Sequence, residues 1–193
     1  MHVSKAIRKR RSIRKFKDKR VDYDDLEALV EAARLAPSAA NLQPLEYLIV
    51  DDPEIEKDIF EYTEWAGYVD WEPSFEKRPR AYILILVDEE NMNKWYKYDA
   101  GLAAENICLS AVDRGLATCI LGAIDRDSIS EMLNAPEEKR IDLAVAVGFP
   151  DQKSDIDESA DDPVRYGIDD EMNFRVPKRS LEHVLHRNRF EGS

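Results

Sequence analysis

The sequence predicts one mixed α/β domain, a sheet packed by helices. Three observations predict it: a length of 193 residues, apolar segments that switch between helical and strand-like periods, and turn residues placed between them. That length suits a single core, and 44% hydrophobic residues is ordinary for a globular protein. No stretch has the roughly 18 uninterrupted apolar residues of a membrane helix. The charged start lacks an apolar signal core, so a cytoplasmic protein is expected. Cys108 and Cys119 sit in apolar runs and are expected as buried, reduced thiols rather than a disulfide or metal pair.

Val3, Ala6, Ile7 and Arg10 have the i, i+3, i+4 spacing of a first helix, which should stop near Ser12. Asp22 is a good N-cap for a second helix with Leu26, Leu29, Val30 and Ala33 as its buried stripe, ended by Pro37. Tyr47 to Val50 reads as a strand, and Asp52-Pro53 caps and opens a third helix through about Tyr62. Residues 63–79 hold Trp65, Tyr68, Trp71, Pro73, Phe75 and Pro79 without a period and are expected as an aromatic lid. Ala81 to Val87 is apolar on both faces, hence a central strand. From Tyr98 to Arg114 apolar residues run almost all round a helical wheel, so this helix should be buried on most sides and end at Gly115. Thr118 to Leu121 is a short strand, Ser128 to Leu133 a short helix, and Ile141 to Val147 a buried strand closed by Gly148 and Pro150. Residues 151–174 contain nine acids and little periodicity, and read as a long extended loop that reaches over a partner. Ser180 should cap a last short helix with Leu181, Val184 and Leu185.

Charge is unevenly placed. The net −12 comes from 28 Lys and Arg against 40 Asp and Glu, yet residues 1–20 hold ten cations and one acid (+9). Residues 175–193 hold five cations and two acids (+3), which leaves −24 on the stretch between. An acidic body argues against nucleic-acid coating or an anionic membrane surface, and only the two ends suit an anion.

The usual nucleotide signatures are missing. The seven glycines never form G-x-G or G-x-x-x-x-G-K, and there is no G-x-S-x-G. His183 and His186 lie at i, i+3 with no cysteine nearby, which argues against a metal site. What remains is the run from Arg10 to Phe16, where a helix gives way to extended chain. Cations at i, i+2 and i+4 point the same way there, and Ser12 adds a hydroxyl, so Arg10, Arg11, Ser12 and Arg14 could clamp a phosphoester. The alternative is a solvated basic face paired with the acidic body, where Lys5 and Lys9 belong. The turn from Ala36 to Pro44 combines two prolines with small residues; it either lets a flat ligand approach the backbone or simply joins helix to strand.

Taken with these, the Gly115–Gly122 segment, the V-G-F-P strand end and the Val176–Glu182 tail make the chain resemble the flavin-dependent nitroreductase family over nearly its whole length. The resemblance implies an α+β fold with a central, mostly antiparallel sheet flanked by helices, an intertwined homodimer, and FMN at the subunit interface. It implies that Arg10, Arg11 and Ser12 hold the FMN phosphate with Lys178 and Arg179, and that Arg14 reaches the ribityl chain or the pyrimidine side. Pro37, Ser38, Ala39 and Asn41 would approach from the other subunit, and the backbone N–H groups of Leu121 and Gly122 would point at N5 and O4 of the ring. NADH or NADPH would be the electron donor and a nitroaromatic, quinone or similar molecule the acceptor. A flavin-cleaving or reductive dehalogenase relative, or a flavin-binding dimer without turnover, are the other readings. No catalytic side chain is required, since the cofactor carries the redox chemistry. Leu45 stands where relatives often have Trp, Ala39 where many have a second Ser, and the lid lacks an Asn that some aim at the ring.

Overall fold

Continuous apolar runs build the inner strands of the main sheet, and one of alternating exposure its edge strand Leu45–Val50. In the computed structural model, which describes residues 1–157 and 164–190, Ala81–Asp88 forms the central strand β2, with seven consecutive buried residues. Leu45–Val50 (β1) and Lys139–Gly148 (β4) pair with it antiparallel, and Ala117–Leu121 (β3) pairs with β4 in the same sense. The order β1-β2-β4-β3 is wholly antiparallel and leaves β3 at an edge. The mixed-sheet expectation is thus replaced by the antiparallel one that the family resemblance implied.

Helices cover both faces. Tyr23–Arg34 (α2) and Tyr96–Asp113 (α4) pack on one face through Leu26, Leu29, Ala33, Ala103 and Ile107. Pro53–Glu61 (α3) and Arg126–Met132 (α5) cover the other with Ile59 and Ile129, joined there by Ile13 and Phe16 of the N-terminal segment. Each fully buried Leu, Ile or Phe contributes roughly 1.5–3 kcal/mol of transfer free energy. Asp52 accepts from the N–H groups of Glu54 and Ile55 and opens α3 as expected, and Asp125 does the same for Ser128 in α5. Asp22 precedes α2, but its carboxylate makes no capping bond.

Four expectations change. The first helix (α1) spans only Val3–Lys9, because Ile13 is drawn into a backbone bond with β3. The Tyr96–Asp113 helix is not buried nearly all round: Tyr98 and Leu102 are 65% and 47% exposed, an apolar face with nothing on it in one chain. The acidic connection is not a bare loop. Ser154–Asp157 (β5), Gly167–Ile168 (β6) and Phe174–Pro177 (β7) form a second small sheet, β5 parallel and β6 antiparallel to β7. Residues 158–163 of that connection lie outside the described residues. The last helix is a single 3-10 turn, Leu181–His183, whose apolar residues Leu181, Val184 and Leu185 stay exposed because nothing is there to bury them.

Candidate functional site

The site begins where α1 ends. Arg10 leaves the helix in extended conformation, Ser12 bridges Thr118 on the edge strand, and the Ile13 N–H donates to Thr118 O at 2.9 Å. Ile13 and Phe16 are buried, which anchors the segment. Arg10, Ser12 and Arg14, two residues apart in extended chain, share a side. All three act on the Cys119 thiol: burial pushes its pKa up, while Arg14, a hydrogen bond from Ser12 and Arg10 oppose the rise. Cys108, across from Thr118, is raised by burial to about 11, so neither thiol is a ready nucleophile.

The cations are held differently. Arg10 Nε lies 3.2 Å from Glu105 Oε1 on α4. Arg14 donates from Nε to Trp65 O at 2.7 Å, and its Nη1 and Nη2 have no acceptor among the described residues. Arg11 turns the other way. Its guanidinium donates to the carbonyls of Arg8 (2.7 Å) and Arg10, and it lines a cavity of about 450 Å³ with Arg8, Lys9, Ile13 and Asp155. Burial and then Arg10 lower its pKa, against Asp155. The sequence grouped Arg11 with Arg10 and Ser12; the structure does not bring it to them.

The turn after α2 is built by an unusual backbone. Ala40, Asn41 and Gln43 have φ of 53°, 54° and 50°, a region that costs most side chains energy. Asp99, a buried acid in the apolar α4, accepts from Ala39 N at 3.0 Å, and Ser38 Oγ accepts from Gln43 N at 3.0 Å. Pro37, Ser38 and Ala39 thereby line a shallow cavity of about 390 Å³ with Trp95, Tyr98 and Leu102. The turn does not meet Arg10 within one chain. Asp99 and Glu105, which hold the two features, are about 9 Å apart along α4.

At the far end of β3, Leu121 is buried and Gly122 exposed. Arg126 fastens this loop by donating from Nη2 to Gly122 O (2.9 Å) and Asp142 O (2.8 Å). Lys178 and Arg179 lie exposed on the tail beyond β7, with Arg179 donating to His183 O, and no bond joins either to Arg10, Ser12 or Arg14 among the described residues. Among the described residues no cluster of His, Cys, Asp or Glu could hold a metal, and no helix is long and apolar enough to cross a membrane.

Sequence reasoning missed Asp99, Arg126, Tyr166 and Phe174. Only Asp99 carried a signal, as an acid set among the apolar residues of a helical run.

Two guanidinium groups and a hydroxyl on one extended segment, bridged to the edge strand of the sheet, form a donor set for an anion and for a flat, carbonyl-bearing ring. The Nitroreductase family model matches residues 7–149. The chain belongs to the nitroreductase family. An Archaeoglobus fulgidus relative named for NADH dehydrogenase or NAD(P)H nitroreductase activity is 31% identical, over 81% of this chain and 90% of its own length. Among solved structures, an FMN-dependent nitroreductase from Clostridium difficile is similar with a TM-score of 0.72 at 26% identity, covering 96% of this chain and 98% of that one. A Desulfovibrio desulfuricans protein solved in complex with FMN is similar at the same TM-score of 0.72 and 26% identity, covering 99% of each chain. The nitroreductase fold and its element order thus extend over nearly the entire chain.

Proposed function

We propose that this nitroreductase-family chain is an FMN-dependent oxidoreductase. When bound, FMN supplies the redox chemistry: hydride from NADH or NADPH to the flavin, then, in ping-pong order, electrons to a nitroaromatic, quinone or similar acceptor. The observation that carries this reading is the Arg10–Ser12–Arg14 face of the segment bridged to the edge strand β3.

Arg10 and Ser12 bind the phosphate, where charge-assisted hydrogen bonds are strongest. Arg14 reaches the pyrimidine side of the ring with its free Nη groups. The Leu121 and Gly122 N–H groups meet the ring's N5 and O4, on a loop that Arg126 keeps still. Lys178 and Arg179 complete the phosphate site, and Pro37, Ser38, Ala39 and Asn41 come from a second copy, so the working unit is a homodimer. The exposed apolar residues of α4 and the tail support that assembly, since patches of this kind mark partner surfaces. A cytoplasmic location, where thiols stay reduced, agrees with Cys108 and Cys119 being free and buried.

Purified protein reconstituted with FMN and mixed anaerobically with NADH or NADPH tests this. Bleaching of the yellow flavin band is expected; a protein that stays colourless after incubation with FMN refutes the proposal, and a yellow protein that never bleaches refutes the enzyme.

A further inference from the structure

The second small sheet has no part in the site as so far described, yet it folds back on Arg14. The Arg14 guanidinium carbon lies 4.6 Å from the Phe174 ring centre and 5.3 Å from that of Tyr166. Its backbone N–H donates to Gln152 Oε1 at 3.1 Å, and Gln152 Nε2 in turn donates to Met172 O at 3.1 Å. The lid joins from the other side. Trp65 O accepts a hydrogen bond from Arg14 Nε, Gly67 N donates to Tyr166 Oη at 2.8 Å, and Tyr68 and Trp71 set their rings edge-on to Tyr166 and Phe174 at 5.1 and 5.3 Å.

The charge pattern makes this arrangement informative. Nine acids lie in residues 151–174, yet Arg14 has no carboxylate within ion-pair distance among the described residues. Nearby acids pair elsewhere: Asp151 with Lys77 at 2.5 Å and Asp169 with Arg175 at 3.0 Å. Ring faces and a carbonyl orient a guanidinium without neutralising it, whereas a carboxylate would cancel its charge toward a ligand. Arg10, by contrast, is paired with Glu105.

We infer that Phe174 of the small sheet and Tyr166 just before it, with the lid carbonyl of Trp65, are positioning residues that hold Arg14 as an uncancelled cation facing the flavin's pyrimidine side. The inference rests on the flavin site proposed above and adds what the small sheet is for. A fixed cation there binds the reduced ring, which gains negative charge, more tightly than the oxidised one, and so raises the flavin potential. Loss of the clamp weakens binding of reduced FMN about tenfold more than of oxidised FMN, equivalent to about 30 mV downward for a two-electron couple.

Tyr166 is the residue to change, because it is only partly buried while Phe174 is a core residue. The expected result is that Tyr166→Leu lowers the midpoint potential of bound FMN by that amount, and that Tyr166→Phe, which keeps the ring face and loses only the bond to Gly67, restores it. A Tyr166→Leu protein with wild-type potential overturns the inference. So does an equal loss of affinity for both redox states, which a merely structural role produces. If the wild-type protein takes up no FMN, the flavin site itself falls, and the clamp with it.

Discussion

Ala40 shows how one residue can be strained for a purpose. A left-handed alanine costs roughly 1–2 kcal/mol, and glycine escapes this at an entropic cost of roughly 0.5–1 kcal/mol. With its φ of 53°, Ala40→Gly should therefore raise stability by about 0.5–1 kcal/mol, read from urea unfolding. Asn41 tolerates the same region through its short polar side chain. The turn holds this shape because Ser38 and Asp99 satisfy its N–H groups. At this scale the sequence was readable where alternation applies. Arg10, Ser12 and Arg14 lie on one side because extended chain has a period of two, and the same period sends Arg11 away. The clamp on Arg14 was not readable, because Tyr166 and Phe174 lie some 150 residues further along the chain.

Among the elements, β4 ends at Gly148 for a steric reason. A Cβ there would stand 2.8 Å from Phe16 Cδ1, and Phe16 is fully buried with no room to yield. Gly148→Ala is expected to cost about 1–3 kcal/mol, the usual penalty for overpacking, measured by thermal or urea unfolding. Helix α3 carries a different liability. Glu56 is buried and bonds Arg78 at 3.0 Å and Arg80 at 3.3 Å, which ties α3 to the end of the lid. Burial raises its pKa, with Arg78 and Arg80 working against the rise. A raised folded pKa means that its contribution is complete below the ordinary carboxylate range and is lost as pH rises through the folded value. Relative to Glu56→Gln, which does not titrate, the wild type should lose unfolding free energy from acid toward neutral pH. A flat difference would contradict the buried, desolvated carboxylate.

Long periodic segments were the elements legible in advance: α2, α3, β2, α4 and β4 lie close to where their patterns put them. The small sheet was hidden because its strands are only two to four residues long, too short to show a period. The tail helix failed for a related reason. Short amphipathic helices are stabilised mainly by tertiary packing, and Leu181, Val184 and Leu185 stay exposed among the described residues.

Over the whole molecule, the basic ends and acidic body acquire separate roles. Of the ten N-terminal lysines and arginines, Arg10 alone has a carboxylate partner among the described residues, Glu105, so most of that excess is exposed surface charge. The part proposed to bind the cofactor is a few side chains on one edge of the sheet. The proposed homodimer requires the apolar α4 face to be covered, so Leu102→Glu should give a folded monomer by sedimentation, with native far-UV circular dichroism, that no longer retains FMN. A dimeric Leu102→Glu protein would place the interface elsewhere.

The claim that Arg10 and Ser12 hold the phosphate of FMN on the edge of β3 is tested most directly by titrating FMN into wild-type protein and an Arg10→Ala, Ser12→Ala variant, following flavin fluorescence. Wild-type protein is predicted to bind FMN and the variant to bind at least about tenfold more weakly, given roughly 1.5–3 kcal/mol for a hydrogen bond to a charged group. Equal affinity in the two proteins, or no binding by the wild type, would contradict the account.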